Sequence, residues 1–330
     1  MRYPVVDLHC DLLSYLEARP GADPEQKGEI GCNFSDLEAG GIKLQVMAIY
    51  TATEKGSAQI GLNQSRIFQN LISKYDQRLS LLTEPGALKS VSSGAKWQVI
   101  AAIENASGFC EEHEPLMDGF KRLEEIISQT GQILYIGLTH HGENRFGGGN
   151  TTKTGLKPDG KILLDYLHGK KIALDLSHTS DALAYEIFNH LSKHDLDIPV
   201  IASHSNYRKV FDHPRNLPDD IAKEIIKRKG LIGVNFLRAF LNNDDPNAIY
   251  DHIQYGISLG GEKAICFGAD YFYTGKHPDQ TRVPFYFKEV ENASCYPFIL
   301  ERLHKVLSEK QLQGLSHGNA FDFISRIRAT

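Results

Sequence analysis

Five side chains of the types that bind divalent metals each stand at the end of a short apolar segment. They are the imidazoles and carboxylates of His9, Asp11, Glu104, His178 and His204. The set contains no thiolate, and imidazole and carboxylate ligands suit zinc or another borderline divalent metal. Metal ions held in this way lower the pKa of a water molecule and polarise a carbonyl group. These residues therefore indicate a hydrolase with a metal-activated water.

The strongest local pattern is the alternation of Asp7, His9 and Asp11. Alternate residues of a strand point the same way, so we expect all three to face one side, with His9 and Asp11 together. The alternative is a buried polar cluster joined by its own hydrogen bonds. Three polar side chains at a core-facing strand end are costly without an ion or other partners, so the pattern favours a metal site.

Glu104 is expected to join two metal ions. It follows the apolar segment 99–103, and a carboxylate in that position can bridge two cations through its two oxygens. Without an anionic bridge, two dications roughly 3.5–4 Å apart would repel strongly. A carbamylated lysine is the other common bridge, but no predicted strand ends in lysine. His178 and His204 end consecutive strands; either alone could be a core histidine.

The elements that must position these residues are eight apolar segments of strand length, most of them followed by a helical pattern. They cover residues 5–9, 44–50, 98–103, 133–139, 172–176, 199–203, 231–236 and 264–268. Strands that are apolar throughout have both faces covered, as in a parallel sheet wrapped by helices. Eight strand–helix repeats predict an α/β fold, the (β/α)₈ TIM barrel. Residues 1–330 are expected to form a single catalytic domain.

Helix and loop signals complete the predicted barrel. Ser180 is expected to cap a helix, Pro218 to open one that Gly230 closes, and Ser308 to begin a capping box. Long loops are predicted after strands, at residues 142–161, 238–251 and 271–294. Loops at this face hold substrate in barrel enzymes, although they could also be variable surface loops. The aromatic segment 271–287 could close a pocket or pack on a second subunit, so a homodimer stays open.

The composition of the chain argues against some classes of binding partner and indicates a cellular compartment. Hydrophobic residues make up 41% and charged residues 23% of 330 residues, with a net charge of −5 and no basic block. We therefore expect no nucleic-acid or membrane partner. No apolar signal region precedes the first metal motif, and no apolar run is long enough to cross a bilayer. Five irregularly spaced cysteines argue against a disulfide framework and predict a reducing, cytoplasmic location.

Taken together, the motifs resemble the membrane (renal) dipeptidase family of zinc metallopeptidases, peptidase family M19. The resemblance runs along nearly the whole chain, in segments that keep the family's order. They are Asp7-Leu8-His9-Cys10-Asp11, Ile103-Glu104, Leu138-Thr139-His140, Asp175-Leu176-Ser177-His178, Ser203-His204-Ser205, Arg215-Asn216-Leu217-Pro218-Asp219-Asp220, Phe267-Gly268-Ala269-Asp270 and Gly318-Asn319. Each segment is weak alone, but their ordered combination is specific.

The resemblance implies a dizinc dipeptidase on a barrel of the metallo-dependent hydrolase type. One zinc ion would be held by His9, Asp11 and Glu104, and the other by Glu104, His178 and His204. His140 would steady the oxyanion, although His141 beside it is an alternative from the sequence. Arg215 would bind the free carboxylate of a small dipeptide; an ion pair with Asp219 is its structural alternative. Asp270 would handle the proton of the attacking water or bind the substrate amine.

Three departures from the family pattern surround the pocket. Asn105-Ala106 replaces the usual Gly-Gly, Asp270-Tyr271-Phe272-Tyr273 replaces Asp-Phe-Asp-Gly, and segment 142–150 lacks a tryptophan often found there. These changes leave the predicted metal ligands intact but alter the rim of the expected substrate pocket. The expected activity is hydrolysis of a dipeptide, with a D-residue allowed on the C-terminal side. The alternatives are hydrolysis of an N-acyl amino acid or a lactone, and a metal-bearing binding protein without catalysis.

Overall fold

Parallel strands form the centre of the computed structural model, which describes residues 3–83, 96–275 and 277–329. The strands are β1 Val5–Cys10, β2 Ile42–Ile49, β3 Leu79–Leu81, β4 Trp97–Ile103, β5 Ile133–Gly137, β6 Ala173–Asp175, β7 Val200–Ile201, β8 Ile232–Val234 and β9 Ile265–Phe267. Their order is β7-β6-β5-β4-β2-β1-β9-β8, and β3 pairs with β4 outside this path. The eight predicted segments provide this path, whereas the short strand β3 has no counterpart among them.

A parallel bridge brings the two ends of this path together. Ala202, directly after β7, pairs with Ile232 of β8. The Ala202 amide donates to the Leu231 carbonyl at 2.8 Å, and the Gly233 amide donates to the Ala202 carbonyl at 2.8 Å. Eight parallel strands therefore form a nearly closed α/β barrel, as the sequence predicts. Such a barrel presents the carboxyl ends of all its strands at one mouth.

The opposite end of the barrel is closed by the last helix. Val6 and Leu8 of β1 belong to a buried apolar cluster that also contains Ile324 of the helix Asn319–Ala329. The Asn319 side-chain amide donates to the carbonyl of Ile265, the first residue of β9, at 2.7 Å. The last helix thus packs against the end of the barrel at which β1 and β9 begin, opposite the carboxyl ends.

Helices surround the barrel in the order that strand–helix alternation predicts. They are α1 Leu12–Ala18, α2 Phe34–Ala39, α3 Ser57–Lys74, α4 Leu116–Thr130, α5 Pro158–Leu167, α6 Asp181–Lys193, α7 Asp219–Lys227, α8 Arg238–Leu241, α9 Ala248–Ser258, α10 Tyr296–Leu303, α11 Glu309–Gln313 and α12 Asn319–Ala329. Within the described ranges, none combines the length and the apolar character that a bilayer span requires.

The helix signals are confirmed at the start of helices more often than at their ends. Ser180 accepts a hydrogen bond from the Leu183 amide at 3.0 Å, and Ser308 begins a capping box at α11. The prediction that Gly230 closes α7 is confirmed in part, since the Gly230 amide donates to the Ile225 carbonyl at 2.9 Å. That helix ends at Lys227, and Lys229 takes the left-handed conformation, with φ of 60°. The predicted loop 238–251 is also wrong in part, since it contains α8 and the start of α9.

His252 is a buried histidine of α9 that lies outside the metal motifs. Its Nδ1 accepts from the Tyr207 amide at 3.2 Å, and its Nε2 donates to the Leu241 carbonyl at 3.0 Å. Burial lowers the pKa of His252 from 6.5 to about 4, although the Leu241 carbonyl partly opposes this. The imidazole is therefore neutral in the folded protein at physiological pH.

We expect His252 to weaken the fold in mild acid. The folded pKa lies below the unfolded one, so the unfolded chain binds the proton first, and stability falls as pH drops from 6.5 towards 4. The loss between pH 7.5 and pH 5 from this residue is about 2 kcal/mol. Unfolding free energies of the wild type and of His252→Asn at both pH values measure it. An equal pH dependence in both proteins would contradict it, because the metal-site histidines titrate alike in both.

Candidate metal centre and substrate pocket

The five predicted ligands meet at the open mouth of the barrel. His9 belongs to β1, Asp11 follows it directly, and Glu104 follows β4. His9 Nε2 lies 3.8 Å from Asp11 Oδ2 and 3.7 Å from Glu104 Oε2. His178 follows β6 and His204 follows β7, and their Nε2 atoms are 2.9 Å apart. Strand ends that are far apart in sequence therefore bring all five side chains together.

Glu104 occupies the centre of this group. Its Oε2 faces His9, whereas its Oε1 lies 2.8 Å from His178 Nε2 and 3.7 Å from His204 Nε2. The neighbouring strand allows this position because Gly137 has no side chain. A Cβ at residue 137 would lie 2.2 Å from the Glu104 carbonyl oxygen. The two carboxylate oxygens thus point towards different histidines.

A shift in strand register changes how the first motif is arranged. Between Asp7 and Cys10 of β1 the partner strand advances only from Gln45 to Met47, so β1 carries one extra residue. The expectation that Asp7 faces the same way as His9 and Asp11 is therefore wrong. Asp7 instead accepts hydrogen bonds from the amides of His9 and Ala269, both at 2.9 Å. A bulge of this kind can redirect a side chain next to a functional site.

Hydrogen bonds fix which ring nitrogen of two histidines is free. His9 Nδ1 lies 2.7 Å from the Tyr135 hydroxyl, which donates its proton to the Leu8 carbonyl at 2.9 Å. His204 Nδ1 lies 2.7 Å from Ser203 Oγ, which donates to Asp175 Oδ2 at 2.6 Å. Both hydroxyl protons are already used, so we assign a proton to each Nδ1 and a lone pair to each Nε2. The lone pairs face the cluster, as metal ligands require.

We expect Tyr135→Phe to weaken metal binding about 10- to 100-fold, since it removes the group that orients the His9 ring. Metal affinity can be measured by competition with a chromophoric chelator. Tyr166→Phe is the matched control, because the Tyr166 hydroxyl contacts Glu124 at the surface. Equal metal affinity in the Tyr135→Phe variant and the wild type would contradict the prediction.

The charges of the cluster suit a cation. Burial alone would lower the pKa of His9, but Glu104, Asp11 and Asp270 raise it to about 10. Burial and the charge of Asp11 raise the pKa of Glu104 well above its usual range, even though His9 opposes this. Among the described residues, His9 Nε2 and Asp11 Oδ1 are buried atoms without a hydrogen-bond partner. Excess negative charge and unpaired ligand atoms in one place fit a metal ion.

In the described part of the chain, three groups of side chains are close enough to hold one metal ion, and their members differ from the two predicted sets of zinc ligands. The three groups are His9, Glu104 and His204; His9, Asp11 and Asp270; and His140, His141 and His178. Burial holds the pKa values of His140, His178 and His204 well below 6.5, so these rings are neutral and can act as ligands. His140 Nε2 is 3.7 Å from Glu104 Oε1. Both His140 and His141 line the same cavity, so the choice of His140 as the oxyanion residue stays a prediction.

Asp270 is held at the edge of the cluster by a residue that the motifs do not identify. The Asn235 side-chain amide donates to Asp270 Oδ2 at 2.7 Å, and Asp270 Oδ1 lies 3.7 Å from His9 Nε2. Asp270 has a φ of 64°, an unusual conformation for a residue with a side chain, which often accompanies functional sites. Asn235 follows β8, which with β2 is one of two barrel strands whose ends received no functional assignment. A polar residue at that strand end was the available signal.

Arg215 contacts His178 and His204 and does not form the alternative ion pair with Asp219. Its two terminal nitrogens donate to Ser205 Oγ and to the His204 carbonyl, both at 2.9 Å. Asp219 instead accepts from the Tyr255 hydroxyl at 2.8 Å. Within the described residues, no carboxylate oxygen lies within 4.0 Å of Arg215, and its buried Nε has no partner. The guanidinium therefore has unused capacity for an acceptor.

A cavity of about 420 Å³ opens over the cluster. Its floor contains Asp11, Glu104 and His178, and its walls are mostly aromatic. The wall residues include Tyr50, Phe240, Phe272, Tyr273, His277 and Arg282. Four of these belong to the segment 271–294, so this segment contributes to the pocket. The volume lies in the range of small-molecule sites, which are concave, mostly apolar and furnished with a few polar groups.

Comparison with curated proteins finds relatives of low identity. An uncharacterized protein from the pqqA 5' region of Klebsiella pneumoniae is 29% identical over 223 residues, which are 63% of this chain and 77% of that protein. An uncharacterized dipeptidase of Schizosaccharomyces pombe is 27% identical over 212 residues. That match covers 59% of this chain and 48% of the yeast protein, so the chain spans about half of that relative.

The fold and the family are clearer than these identities suggest. A crystal structure of a metallopeptidase from Rhodobacter sphaeroides, bound to a phosphinate mimic of the dipeptide L-Ala-D-Ala, superposes with a TM-score of 0.84. The superposition covers 99% of each chain at 18% identity, so it supports the fold alone. The sequence model of the membrane dipeptidase family, peptidase family M19, matches residues 1–330. This chain therefore belongs to the membrane dipeptidase family of metallopeptidases.

Proposed function

We propose that this chain is a dipeptidase that uses two zinc ions to cleave dipeptides with a free C-terminal carboxylate. The observation that carries the proposal is the position of Glu104, whose two oxygens face His9 on one side and His178 and His204 on the other. A carboxylate placed between imidazoles on two sides is suited to bridging a pair of dications. Family membership supplies the reaction class, metal-dependent peptide hydrolysis.

His9, Asp11 and Glu104 would hold one ion, and Glu104, His178 and His204 the other. When bound, such ions supply Lewis acidity that lowers the pKa of water and polarises a carbonyl. The chain's own contribution begins with the orientation of these ligands. Tyr135 and the pair Ser203 and Asp175 fix the histidine tautomers. The ligand geometry is therefore established before a substrate arrives.

Proton transfer and charge stabilisation fall to residues beside the ligands. The Asp270 carboxylate is positioned to accept a proton from the attacking water and to return it to the leaving amine. Burial raises the pKa of Asp270 to about 6, although His9 lowers it, so its proton is exchanged near neutral pH. His140 is neutral and can donate a hydrogen bond to the oxygen that becomes negative. Arg215 would take the substrate carboxylate through a planar, two-point contact.

The pocket supports a small substrate with two charged ends. A volume of about 420 Å³ suits a dipeptide, and Asp270 and Arg215 carry charges opposite to those of its amine and carboxylate. We further propose that a D-residue is accepted on the C-terminal side. Support comes from the Rhodobacter relative of the same fold, whose bound ligand mimics L-Ala-D-Ala.

The test is hydrolysis by purified protein supplied with zinc, with and without a chelator. We expect L-Ala-L-Ala and L-Ala-D-Ala to be cleaved, the activity to disappear with chelation and to return with added zinc. Elemental analysis is expected to give about two ions per chain. N-acetyl-alanine and a lactone serve as alternative substrates. Cleavage of N-acetyl-alanine or the lactone without cleavage of any dipeptide would favour the alternative hydrolase instead. Metal binding without hydrolysis of any substrate would refute the proposal.

A further inference from the structure

Two guanidinium groups converge on one aromatic side chain of the pocket wall. The Cζ atom of Arg215 lies 5.4 Å from the centre of the Phe240 ring, and that of Arg282 lies 6.0 Å from it. Arg282 also lies 5.3 Å from the centre of the Phe285 ring. Contact with two rings restricts the long arginine side chain and leaves less entropy to lose when it binds an anion. Arg282 is thus held in place at the wall of the cavity over the cluster.

Neither guanidinium has a carboxylate at ion-pair distance in the described part of the chain. In the described ranges, no carboxylate oxygen lies within 4.0 Å of Arg282, and its guanidinium donates no hydrogen bond to a protein acceptor. The nearby Asp279 uses its carboxylate to bind Thr281. Arg215 likewise has no carboxylate oxygen within 4.0 Å in the described residues, so two positive charges lie beside the Phe240 ring. An anion bound beside this ring would be attracted by both charges.

The negative charges of the site gather around His9. Asp11, Glu104 and Asp270 lie around His9, and this is where the metal ions and the substrate amine are expected. A dipeptide that is oriented by these charges directs its C-terminal end towards the two arginines. One α-carboxylate suffices for Arg215, so Arg282 has room for a second negative group.

We propose that Arg282 selects dipeptides whose C-terminal residue has an acidic side chain, with the α-carboxylate on Arg215 and the side-chain carboxylate on Arg282. This inference rests on the proposed dipeptidase function and names its substrate class. Aspartyl or glutamyl residues provide the second carboxylate. The alternative role for Arg282 is structural, as a support for Phe240 and Phe285 in the pocket wall.

The experiment compares substrates that differ in one charge. Ala-Glu and Ala-Gln have nearly the same shape, and both are assayed with the C-terminal residue in the L and the D form. We expect wild-type kcat/KM to favour Ala-Glu over Ala-Gln by about 10- to 100-fold, the effect of one charge-assisted hydrogen bond. The preference should fall mainly on KM, because the second carboxylate is remote from the scissile bond and contributes equally to ground and transition states.

In Arg282→Gln, the ratio of kcat/KM for Ala-Glu to kcat/KM for Ala-Gln should fall close to one. Arg282→Lys should restore part of this preference. A purely structural Arg282 would lower both rates and leave their ratio unchanged, which overturns the inference. Arg66→Gln is the control, because Arg66 pairs with Glu125 on the surface of α3 and α4, and its ratio should equal that of the wild type. A wild type that shows no preference for Ala-Glu also overturns the inference.

Calorimetry separates this inference from the proposed function. Binding of Ala-Glu and Ala-Gln to zinc-loaded protein is measured in the wild type and in Arg282→Gln, with Asp270→Asn as background if turnover interferes. Dipeptides that are cleaved without charge preference refute only the role of Arg282. Charge-selective binding that Arg282→Gln abolishes, without cleavage of any dipeptide, refutes only the hydrolytic function. Absence of both cleavage and binding overturns the two together.

Discussion

Glu104→Gln is expected to lose both bound metal and hydrolysis, although it changes only one atom of the side chain. The amide cannot supply two anionic oxygens, one towards His9 and one towards His178 and His204. Two dications would then lack the charge that offsets their repulsion. Loss of the several kcal/mol that metal ions contribute to catalysis corresponds to at least about 10³-fold in kcat/KM. Metal content should fall from about two ions per chain to one or fewer.

Elemental analysis, dipeptide kinetics and circular dichroism on the same preparations measure this result. Glu125→Gln is the matched control, because Glu125 is an exposed residue of α4 that contacts Arg66, and it should keep both metal and activity. A Glu104→Gln variant that folds, holds two ions and hydrolyses dipeptides at the wild-type rate would remove the bridge from the mechanism. A variant that holds two ions but is inactive would assign Glu104 a role in the chemistry instead.

The sequence predicts the convergence of these side chains well, because barrel topology determines where strand ends meet. His9, Glu104, His178 and His204 are far apart in sequence, yet each ends an apolar segment, and parallel strands in a barrel place all such ends at one mouth. No knowledge of loop conformation is needed for this step. The alternation of side chains along a single strand predicts less, and its prediction for the direction of Asp7 is wrong. The extra residue of β1 breaks the period of two, and no single residue in the segment announces the bulge.

Residues that support the site are harder to predict because their roles depend on distant contacts. Tyr135 contacts His9 across 126 positions of sequence and looks like an ordinary buried strand residue. Asn235 supports Asp270 from a strand end, where a polar residue was a usable signal. Arg282 lies in a loop whose course is set by aromatic packing against Phe240 and Phe285. Such packing has no periodic pattern in the sequence, so the loop's position in the pocket could not be inferred.

Asp270→Asn is expected to keep the metal and lose catalysis. The amide has the shape of the carboxylate and can still accept the hydrogen bond that Asn235 donates, but it cannot take a proton from water at neutral pH. Loss of general acid–base catalysis lowers kcat by about 10²- to 10⁴-fold. The ligands His9 and Glu104 remain, so metal content should stay near the wild-type value. Steady-state kinetics with elemental analysis measure both quantities.

The same variant decides between the roles that Asp270 could have. A proton carrier affects kcat, whereas a residue that binds the substrate amine affects KM and discriminates less against N-acetylated dipeptides after substitution. A metal ligand is the third possibility, since Asp270 Oδ1 lies 3.7 Å from His9 Nε2, and its loss would lower the metal content. Asn235→Ala provides the linked comparison, because it frees the Asp270 carboxylate without removing it. A large fall in kcat for Asp270→Asn and a smaller one for Asn235→Ala, both with full metal content, would identify Asp270 as the proton carrier and Asn235 as the residue that positions it.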